Sequence, residues 1–171
     1  SVARLFTYAA WADKFDGAIH SPPLLNITIA MNEPLGIIGI ACPDEAPLLA
    51  FISLVAPAVA MGNRVVVAPS ERAPLSATDL YQVLDTSDVP GGVVNIVTGE
   101  RDALAGVLAE HDEVAAMWYA GSASGSAMVE RASIGNLKQT WVNGGKARDW
   151  FDRAQSEGPE FLRRATQVKN I

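Results

Sequence analysis

Short apolar segments that alternate with helical patterns place the strongest limit on how this chain can fold. The candidate strands are residues 35–41, 64–68, 93–97, 115–119 and 138–142, and the candidate helices between them are residues 47–60, 75–84, 101–110 and 122–132. The first of these strands is apolar at nearly every position, which is typical of a parallel strand covered on both faces. The alternation therefore predicts an α/β fold, with a doubly wound, Rossmann-like parallel sheet and helices on both faces. In such a sheet a ligand crevice is expected at the carboxyl ends of the strands.

The first helix of this alternation carries clear boundary signals. Pro47 suits the first turn of a helix, where its missing N–H costs no hydrogen bond. Gly62 and Asn63 suit the left-handed conformation at which many helices end. Pro57 lies inside the same segment and predicts a kink there.

The two ends of the chain do not continue the alternation. Residues 1–12 have the apolar spacing of a helix, and residues 24–32 predict a strand with one solvated face. Residues 148–155 and 159–164 predict two short polar helices, and residues 165–171 predict a terminal strand. The predicted parts are residues 1–32, an N-terminal helix and hairpin; residues 33–146, the Rossmann-like domain; and residues 147–171, linker helices and a terminal strand.

Composition excludes several classes of function. A formal net charge of −6 and a pI of about 4.8 argue against a nucleic-acid partner. The single cysteine, Cys42, excludes an internal disulfide framework, and no metal site is expected. The longest apolar run, residues 48–61, is too short to cross a bilayer, so no membrane partner and a cytoplasmic location are expected. The absence of an initiator methionine leads us to expect a piece of a longer polypeptide.

Six short motifs occur in a fixed order along the chain. They are EPLGIIG at 33–39, GNRVVV at 62–67, PSE at 69–71, PGGVVNIV at 90–97, AGS at 120–122 and GGK at 144–146. In this order and nearly this spacing they resemble the coenzyme-binding part of the aldehyde dehydrogenase superfamily. The resemblance implies that residues 24–32 and 165–171 correspond to the oligomerisation arms of that family and pair in a small antiparallel oligomerisation sheet.

The arrangement after GGK differs from the family pattern. The family places its catalytic domain between that turn and the closing strand, whereas only residues 147–165 intervene here. The chain therefore resembles the C-terminal, non-catalytic pseudo-domain of the aldehyde dehydrogenase 16 family.

The resemblance also implies that the residues required for aldehyde oxidation are absent. The family uses a cysteine nucleophile, an oxyanion donor, a glutamate base and a bound nicotinamide. The base position corresponds to Val142, which cannot accept a proton, and the oxyanion asparagine corresponds to Glu45, which would repel negative charge. The nucleophile belongs to the missing domain, so no catalytic residue is expected. Glu45 is also explained by a favourable interaction with the N-terminus of the following helix.

Several positions correspond to coenzyme contacts of the family. As vestigial cofactor-binding positions, the resemblance implies Cys42, Pro43, Ser70, Glu71, Gly99, Tyr119, Gly121 and Ser122. Two changes oppose binding, because Ala68 replaces a lysine and Arg101 replaces a glycine. NAD is therefore a possible cofactor that we expect to be lost.

Each of the more distinctive side chains also has a purely structural interpretation. Cys42 is either a small buried hydrophobe or a redox-active thiol, and Glu71 is either a solvated turn residue or a retained ribose contact. Arg101 could fill the nucleotide cleft, bind an anion, or lie on the surface at the start of a helix. Ser122 could cap a helix or help to bind phosphate, and Trp118 could pack in the core or close the pocket.

Two classes of function follow from this interpretation. The first is a non-catalytic structural or oligomerisation domain beside an active aldehyde dehydrogenase unit, in the same polypeptide or in a homodimer partner. The parent protein would then oxidise aldehydes with NAD(P). The alternatives are a residual NAD- or nucleotide-binding regulatory module and a fragment of an active NAD-dependent aldehyde dehydrogenase.

Overall fold

The computed structural model describes residues 1–23 and 26–171. The helices are α1 (Val2–Trp11), α2 (Pro47–Ala60), α3 (Leu75–Asp85), α4 (Arg101–Glu110), α5 (Ala123–Ala132), α6 (Arg153–Ser156) and α7 (Pro159–Arg164). The strands are β1 (Ala18–His20), β2 (Thr28–Pro34), β3 (Ile37–Ala41), β4 (Arg64–Ala68), β5 (Val94–Ile96), β6 (Ala116–Tyr119), β7 (Gln139–Val142) and β8 (Thr166–Asn170). A single 3-10 turn, Ser133–Asn136, leads from α5 towards β7.

The main sheet is parallel and confirms the predicted fold class. Its strand order is β5-β4-β3-β6-β7. The order reverses between β3 and β6, because the chain builds outwards from β3 to β5 and then crosses back to β6. Parallel α/β sheets bind ligands outside the carboxyl ends of the strands at such a reversal.

Apolar side chains on β3 and β4 form the centre of the core with α2. Ile38, Ile40, Val65 and Val67 are fully buried, as the continuous apolar runs predicted. Eight of the 14 residues of helix α2 are buried, the others are half-buried, and the helix continues through Pro57 to Ala60. Even so, none of the helices in the described ranges is both long and apolar enough to cross a membrane.

Asn63 holds the end of α2 in place. Gly62 has a φ of +86°, the left-handed conformation predicted for the end of this helix. The buried side chain of Asn63 then donates to the carbonyl oxygens of Ala58 and Ala165, at 3.0 and 2.8 Å. Its Oδ1 accepts from the backbone N–H of Leu35, at 2.8 Å. One amide thus connects the end of α2, the start of β3 and the residue before β8.

The small antiparallel sheet has the order β1-β2-β8 and confirms the predicted pairing of the two chain ends. Its central strand, β2, lies later in the sequence than the predicted segment 24–32, and Leu24 and Leu25 lie outside the described residues. Ile29 and Ile171 exchange two backbone hydrogen bonds of 2.9 Å, so alternate pairs along this ladder are hydrogen-bonded. Pro34 opposite Thr166 falls in a non-bonded pair, where its missing N–H costs nothing.

The predicted helix over 148–155 is wrong in its extent, because α6 spans only Arg153–Ser156. The carboxylate of Asp149 accepts from the backbone N–H of Phe151 at 2.9 Å, which stabilises a turn. Asp152 then caps α6 by accepting from the N–H of Ala154 at 2.9 Å. Short aspartate side chains compete in this way with the helical backbone and delay the start of the helix.

A buried arginine fastens this terminal segment to the rest of the chain. Arg4 on α1 is only 5% exposed. Its guanidinium donates to Ser53 on α2, to the carbonyl oxygen of Trp150 and, at 2.5 Å, to the hydroxyl of Ser156. It also lies 4.0 Å from the carboxylate of Glu157. Helices α1 and α2 therefore hold the segment that follows β7.

Candidate functional site

A cleft with a volume of about 210 Å³ opens at the carboxyl ends of β3, β6 and β7. It lies at the point where the strand order reverses, and we call it the switch-point cleft. The side chains that give it its character are Glu45, Arg101, Trp118, Trp141, Lys146 and Arg148. The structure thus places a concave site where the sequence predicted a ligand crevice.

Val142, which the resemblance assigns to the base position of the family, lies in this cleft. Val142 ends β7 and lines the cleft with an aliphatic side chain. Among the described residues that line the cleft, Glu45 alone carries a carboxylate, and it is exposed on the loop between β3 and α2. General acid–base chemistry at the position of Val142 is therefore impossible.

Asp44 and Arg101 join two loops at the mouth of the crevice. Asp44 accepts from the hydroxyl of Ser70 at 2.7 Å, from the backbone N–H of Arg72 at 3.2 Å, and from the Arg101 guanidinium. Burial alone would raise the pKa of Asp44, but these three donors outweigh it and hold the pKa below its ordinary value. The side chain of Arg101 is only 12% exposed, so its interpretation as a surface residue is wrong.

Glu71 has a role that neither interpretation of the sequence included. Its carboxylate accepts a hydrogen bond from the backbone N–H of Arg101, the first residue of α4. An anion at this position satisfies one of the unpaired N–H groups of the helix and interacts favourably with the helix dipole. The carboxylate that the resemblance assigns to the coenzyme ribose is thus used within the chain.

The hydroxyl group of Tyr119 occupies the space at the start of α5. It donates to the carboxylate of Asp102 at 2.5 Å and accepts from the backbone N–H of Ser122 at 3.3 Å. Burial, aided by the hydrogen bond to Asp102, raises the pKa of Tyr119. Gly121 and Gly125 pack directly on this ring, and a methyl group on either would overlap the hydroxyl.

Ser122 caps α5, and the turn at Gly145 covers the next amide. The Ser122 hydroxyl accepts from the N–H of Gly125 at 2.9 Å, as expected of an N-cap. Gly145 has a φ of +77°, and a Cβ built on it would lie 2.9 Å from the backbone nitrogen of Ala123. The N-terminus of α5 therefore faces the chain's own backbone.

The other predicted positions are buried or remote. Cys42 is completely buried, and burial raises the pKa of its thiol to about 12, which argues against a reactive thiolate. Pro43 is buried beside it and lines the cleft, and Ala68 is buried on β4. Gly99 is exposed, packs near Leu104 and is not among the lining residues.

These contacts test the fit of a nicotinamide dinucleotide. Glu71 is bonded to α4, Arg101 occupies the crevice with Asp44, and the Tyr119 hydroxyl bonds the amide of Ser122. Glu71, Tyr119 and Ser122, three of the positions that the resemblance assigns to the coenzyme, are therefore engaged within the chain. With Arg101 in the crevice as well, the residues present do not fit the dinucleotide.

An aromatic wall closes the other side of the cleft. Trp141 meets Trp118 and Phe161 edge to face, each at 5.1 Å between ring centroids. The guanidinium of Arg148 lies 5.2 Å from the Trp141 ring and 5.9 Å from the Trp150 ring. The sequence did not reveal Arg148 as a cleft residue, although its position two residues after the GGK turn was a usable signal.

The sequence of this chain is similar to sequences of known proteins. The sequence profile described as "Aldehyde dehydrogenase family" matches residues 1–149. An aldehyde dehydrogenase of Agaricus bisporus is 34% identical over 149 residues, and aldehyde dehydrogenase 1A1 of Equus caballus is 36% identical over 141 residues. These matches cover 86% and 81% of this chain but only 30% and 28% of the relatives.

Solved structures agree with these matches. PnpE from Pseudomonas sp. WBC-3 superposes with a TM-score of 0.77 at 30% identity, covering 82% of this chain and 29% of that protein. Lactaldehyde dehydrogenase from Escherichia coli gives a TM-score of 0.78 at 25% identity, covering 82% and 30%. The narrower resemblance to the aldehyde dehydrogenase 16 pseudo-domain stays a prediction. The chain, which spans about 30% of the length of the relatives that it matches, belongs to the aldehyde dehydrogenase family.

Proposed function

We propose that this chain is a non-catalytic aldehyde dehydrogenase-like domain that acts in assembly beside an active unit of the same family. That unit lies in the same polypeptide or in a partner copy, and it would oxidise aldehydes with NAD(P). The cleft supports the non-catalytic part of the proposal, because it is lined by Val142 and Glu45, which the resemblance assigns to the base and oxyanion positions.

The small sheet is the observation that carries the proposal. Ile19, Ile29 and Ile171 lie opposite one another across its three strands, and Met31 follows two residues after Ile29 on the same face. All four side chains are exposed, at 76%, 46%, 66% and 43% respectively. A continuous apolar face of this kind marks an interaction surface.

The edge of β8 adds main-chain donors and acceptors beside this face. Because Ile171 is hydrogen-bonded to β2, so is Lys169, two residues earlier, whereas Val168 and Asn170 direct their N–H groups away from β2. Strand β8 is an edge strand of its sheet in the described part of the chain. An edge strand with outward N–H groups can extend the sheet of a partner by strand addition.

We also propose that the chain does not use NAD. A structure of PnpE, one of the proteins that this chain resembles, is a complex with nicotinamide adenine dinucleotide. In this chain Glu71, Arg101 and Tyr119 are engaged in internal hydrogen bonds, with which a coenzyme would have to compete. Assembly therefore accounts for the preserved arms better than coenzyme binding does.

A matched pair of substitutions in β8 tests the assembly proposal. In the longer polypeptide that carries this chain, Val168→Pro removes an outward N–H without cutting the ladder between β2 and β8. Val168→Thr keeps the N–H and serves as the control. Sedimentation is expected to show association at least about 10-fold weaker for Val168→Pro. The loss of one hydrogen bond to the partner and the poorer fit of the proline ring at the edge of β8 together cost about 1.4 kcal/mol or more.

Ile19→Lys, on the apolar face, is expected to weaken association in the same assay. If Val168→Pro and Ile19→Lys both assemble like the unmodified protein, the small sheet is not the assembly surface.

A further inference from the structure

We propose that the switch-point cleft binds a small aromatic carboxylate, a ligand class different from a dinucleotide. The proposal does not depend on the assembly role, since it concerns only the polar and apolar groups that line the cleft. Buried and half-buried polar groups need hydrogen-bond partners, so the unused donors and acceptors of the cleft indicate which ligand it can bind.

Apart from the exposed carboxylate of Glu45, the side-chain acceptors of the described cleft lining are already in use. The side-chain oxygen of Asn143 accepts from the N–H groups of Gly121 and Gly145, at 3.1 and 3.3 Å. The carbonyl oxygen of Trp150 accepts from both Arg4 and Ser156. A ligand that brings further donors would therefore find few acceptors.

Donors in the cleft, by contrast, are in surplus. Within the described residues, Lys146 has no hydrogen-bond partner for its ammonium group, and Arg148 uses only its Nη1 atom. Arg101 bonds Asp44 through Nη2, while its Nε is buried without an acceptor. Three cationic side chains with unused N–H groups favour an anionic oxygen ligand, to which charge-assisted hydrogen bonds are the strongest.

The remaining lining selects an apolar, flat molecule. The rings of Trp118 and Trp141 stand nearly perpendicular, at 88°, and both line the cleft with Leu54 and Val142. Trp118 is only 2% exposed, so the half-buried side chains of Trp141 and Val142 present the apolar surface against which a planar ring can pack. The ligand therefore combines one planar ring with one carboxylate.

The size of the cleft limits the ligand to a single ring. Its volume of about 210 Å³ is below the roughly 300–1,000 Å³ of pockets that enclose drug-sized ligands. A monocyclic carboxylate such as benzoate fits this limit, and a dinucleotide exceeds it.

The charges of Glu45 and Lys146 should have opposite effects on the affinity for a carboxylate. It is a lining carboxylate on an exposed loop, and it opposes an anion at the cleft. Removing its charge should strengthen binding of a carboxylate, whereas removing the charge of Lys146 should weaken it. A cleft that merely accommodates apolar molecules would respond to neither change.

The test is a calorimetric titration of the 171-residue chain at pH 7, with tryptophan fluorescence as a second readout. The probes are benzoate, the neutral benzyl alcohol, the cationic benzylamine and inorganic phosphate. Benzoate is expected to saturate with a Kd below about 1 mM, and benzyl alcohol to bind at least about 10-fold more weakly. Benzylamine and phosphate are expected to show no saturation.

Three variants complete the experiment. Lys146→Gln should weaken benzoate binding by at least about 3-fold, and Glu45→Gln should strengthen it by about 2-fold or more. Lys14→Gln, an exposed position outside the cleft, is the control and should change nothing. Thermal unfolding of each variant verifies that the fold is retained.

Three results would each overturn the proposal. They are the absence of benzoate saturation, equal binding of benzoate and benzyl alcohol, and unaltered affinity in both Lys146→Gln and Glu45→Gln. Competition by phosphate at the benzoate concentration range would also refute it, because the site would then be a general anion patch.

Discussion

Removing the buried guanidinium of Arg4 should destabilise the chain far more than removing an exposed guanidinium that contacts the same carboxylate. Arg4 is 5% exposed and donates to groups on both α2 and the terminal segment, including Ser156 at 2.5 Å. Breaking a buried charged network by deleting one partner costs about 3–5 kcal/mol. Because Glu157 keeps Arg153 at 2.8 Å, we expect the lower end, about 3 kcal/mol for Arg4→Ala.

Arg153→Ala is the matched control. The Arg153 side chain is 70% exposed, so its ion pair with Glu157 should contribute only about 0.2–1 kcal/mol. Urea unfolding followed by far-UV circular dichroism gives both free energies of unfolding. In a thermal scan, a loss of 3 kcal/mol corresponds to a Tm about 6–12 °C lower for a chain of this size. A loss below about 1 kcal/mol for Arg4→Ala, or one equal to that of Arg153→Ala, would refute this view of the network.

Three further predictions concern the cleft and its surroundings. The pKa of Asp44 is held below its unfolded value of about 4, so its ionised form stabilises the fold fully above that pH, and the contribution disappears as pH falls through the folded pKa. Urea unfolding between about pH 3 and 7 should therefore show a shallower acid loss for Asp44→Asn than for the unmodified chain, and equal slopes would contradict this. The thiol of Cys42, completely buried and with its pKa raised to about 12, should react with an aromatic disulfide reagent only as the chain unfolds; rapid labelling of the native chain would disprove its burial. Tyr119→Phe should lower the free energy of unfolding by about 1–3 kcal/mol, because the hydroxyl bridges Asp102 and the amide of Ser122, and an unaltered value would show that this bridge contributes nothing.

The sequence predicted the parallel sheet well because its signals are local. Continuous apolar runs mark β3 and β4, and Pro47 and Gly62 mark the ends of α2 with conformations that the structure confirms. The pairing of β2 with β8 was also predicted, but only through the family resemblance, since no local signal links segments so far apart.

The contacts that close the cleft could not be predicted in the same way. Whether Arg101 is a surface residue or a member of a half-buried ion pair depends on Asp44, which lies on another loop. The hydroxyl of Tyr119, at the end of β6, donates to Asp102 in the first turn of α4, and the family pattern gives no reason to expect that bond. Long-range side-chain geometry decides these roles, and residue type alone does not.

In the terminal segment, side chains that bond the local backbone limited the prediction of secondary structure. Its composition suggested a helix over 148–155, but the side chains of Asp149 and Asp152 bond backbone N–H groups and shorten that helix to α6. Arg148 is thereby placed against Trp141, in the cleft. A local competition between side chain and backbone thus changed the lining of the site.

A calorimetric titration of NAD into the 171-residue chain tests the central claim most directly. If the crevice groups are engaged by the chain's own side chains, no saturable heat should appear up to about 1 mM NAD. Saturable binding at micromolar NAD with one molecule per chain would contradict the account, because it would show that Glu71, Arg101 and Tyr119 yield their internal contacts to the coenzyme.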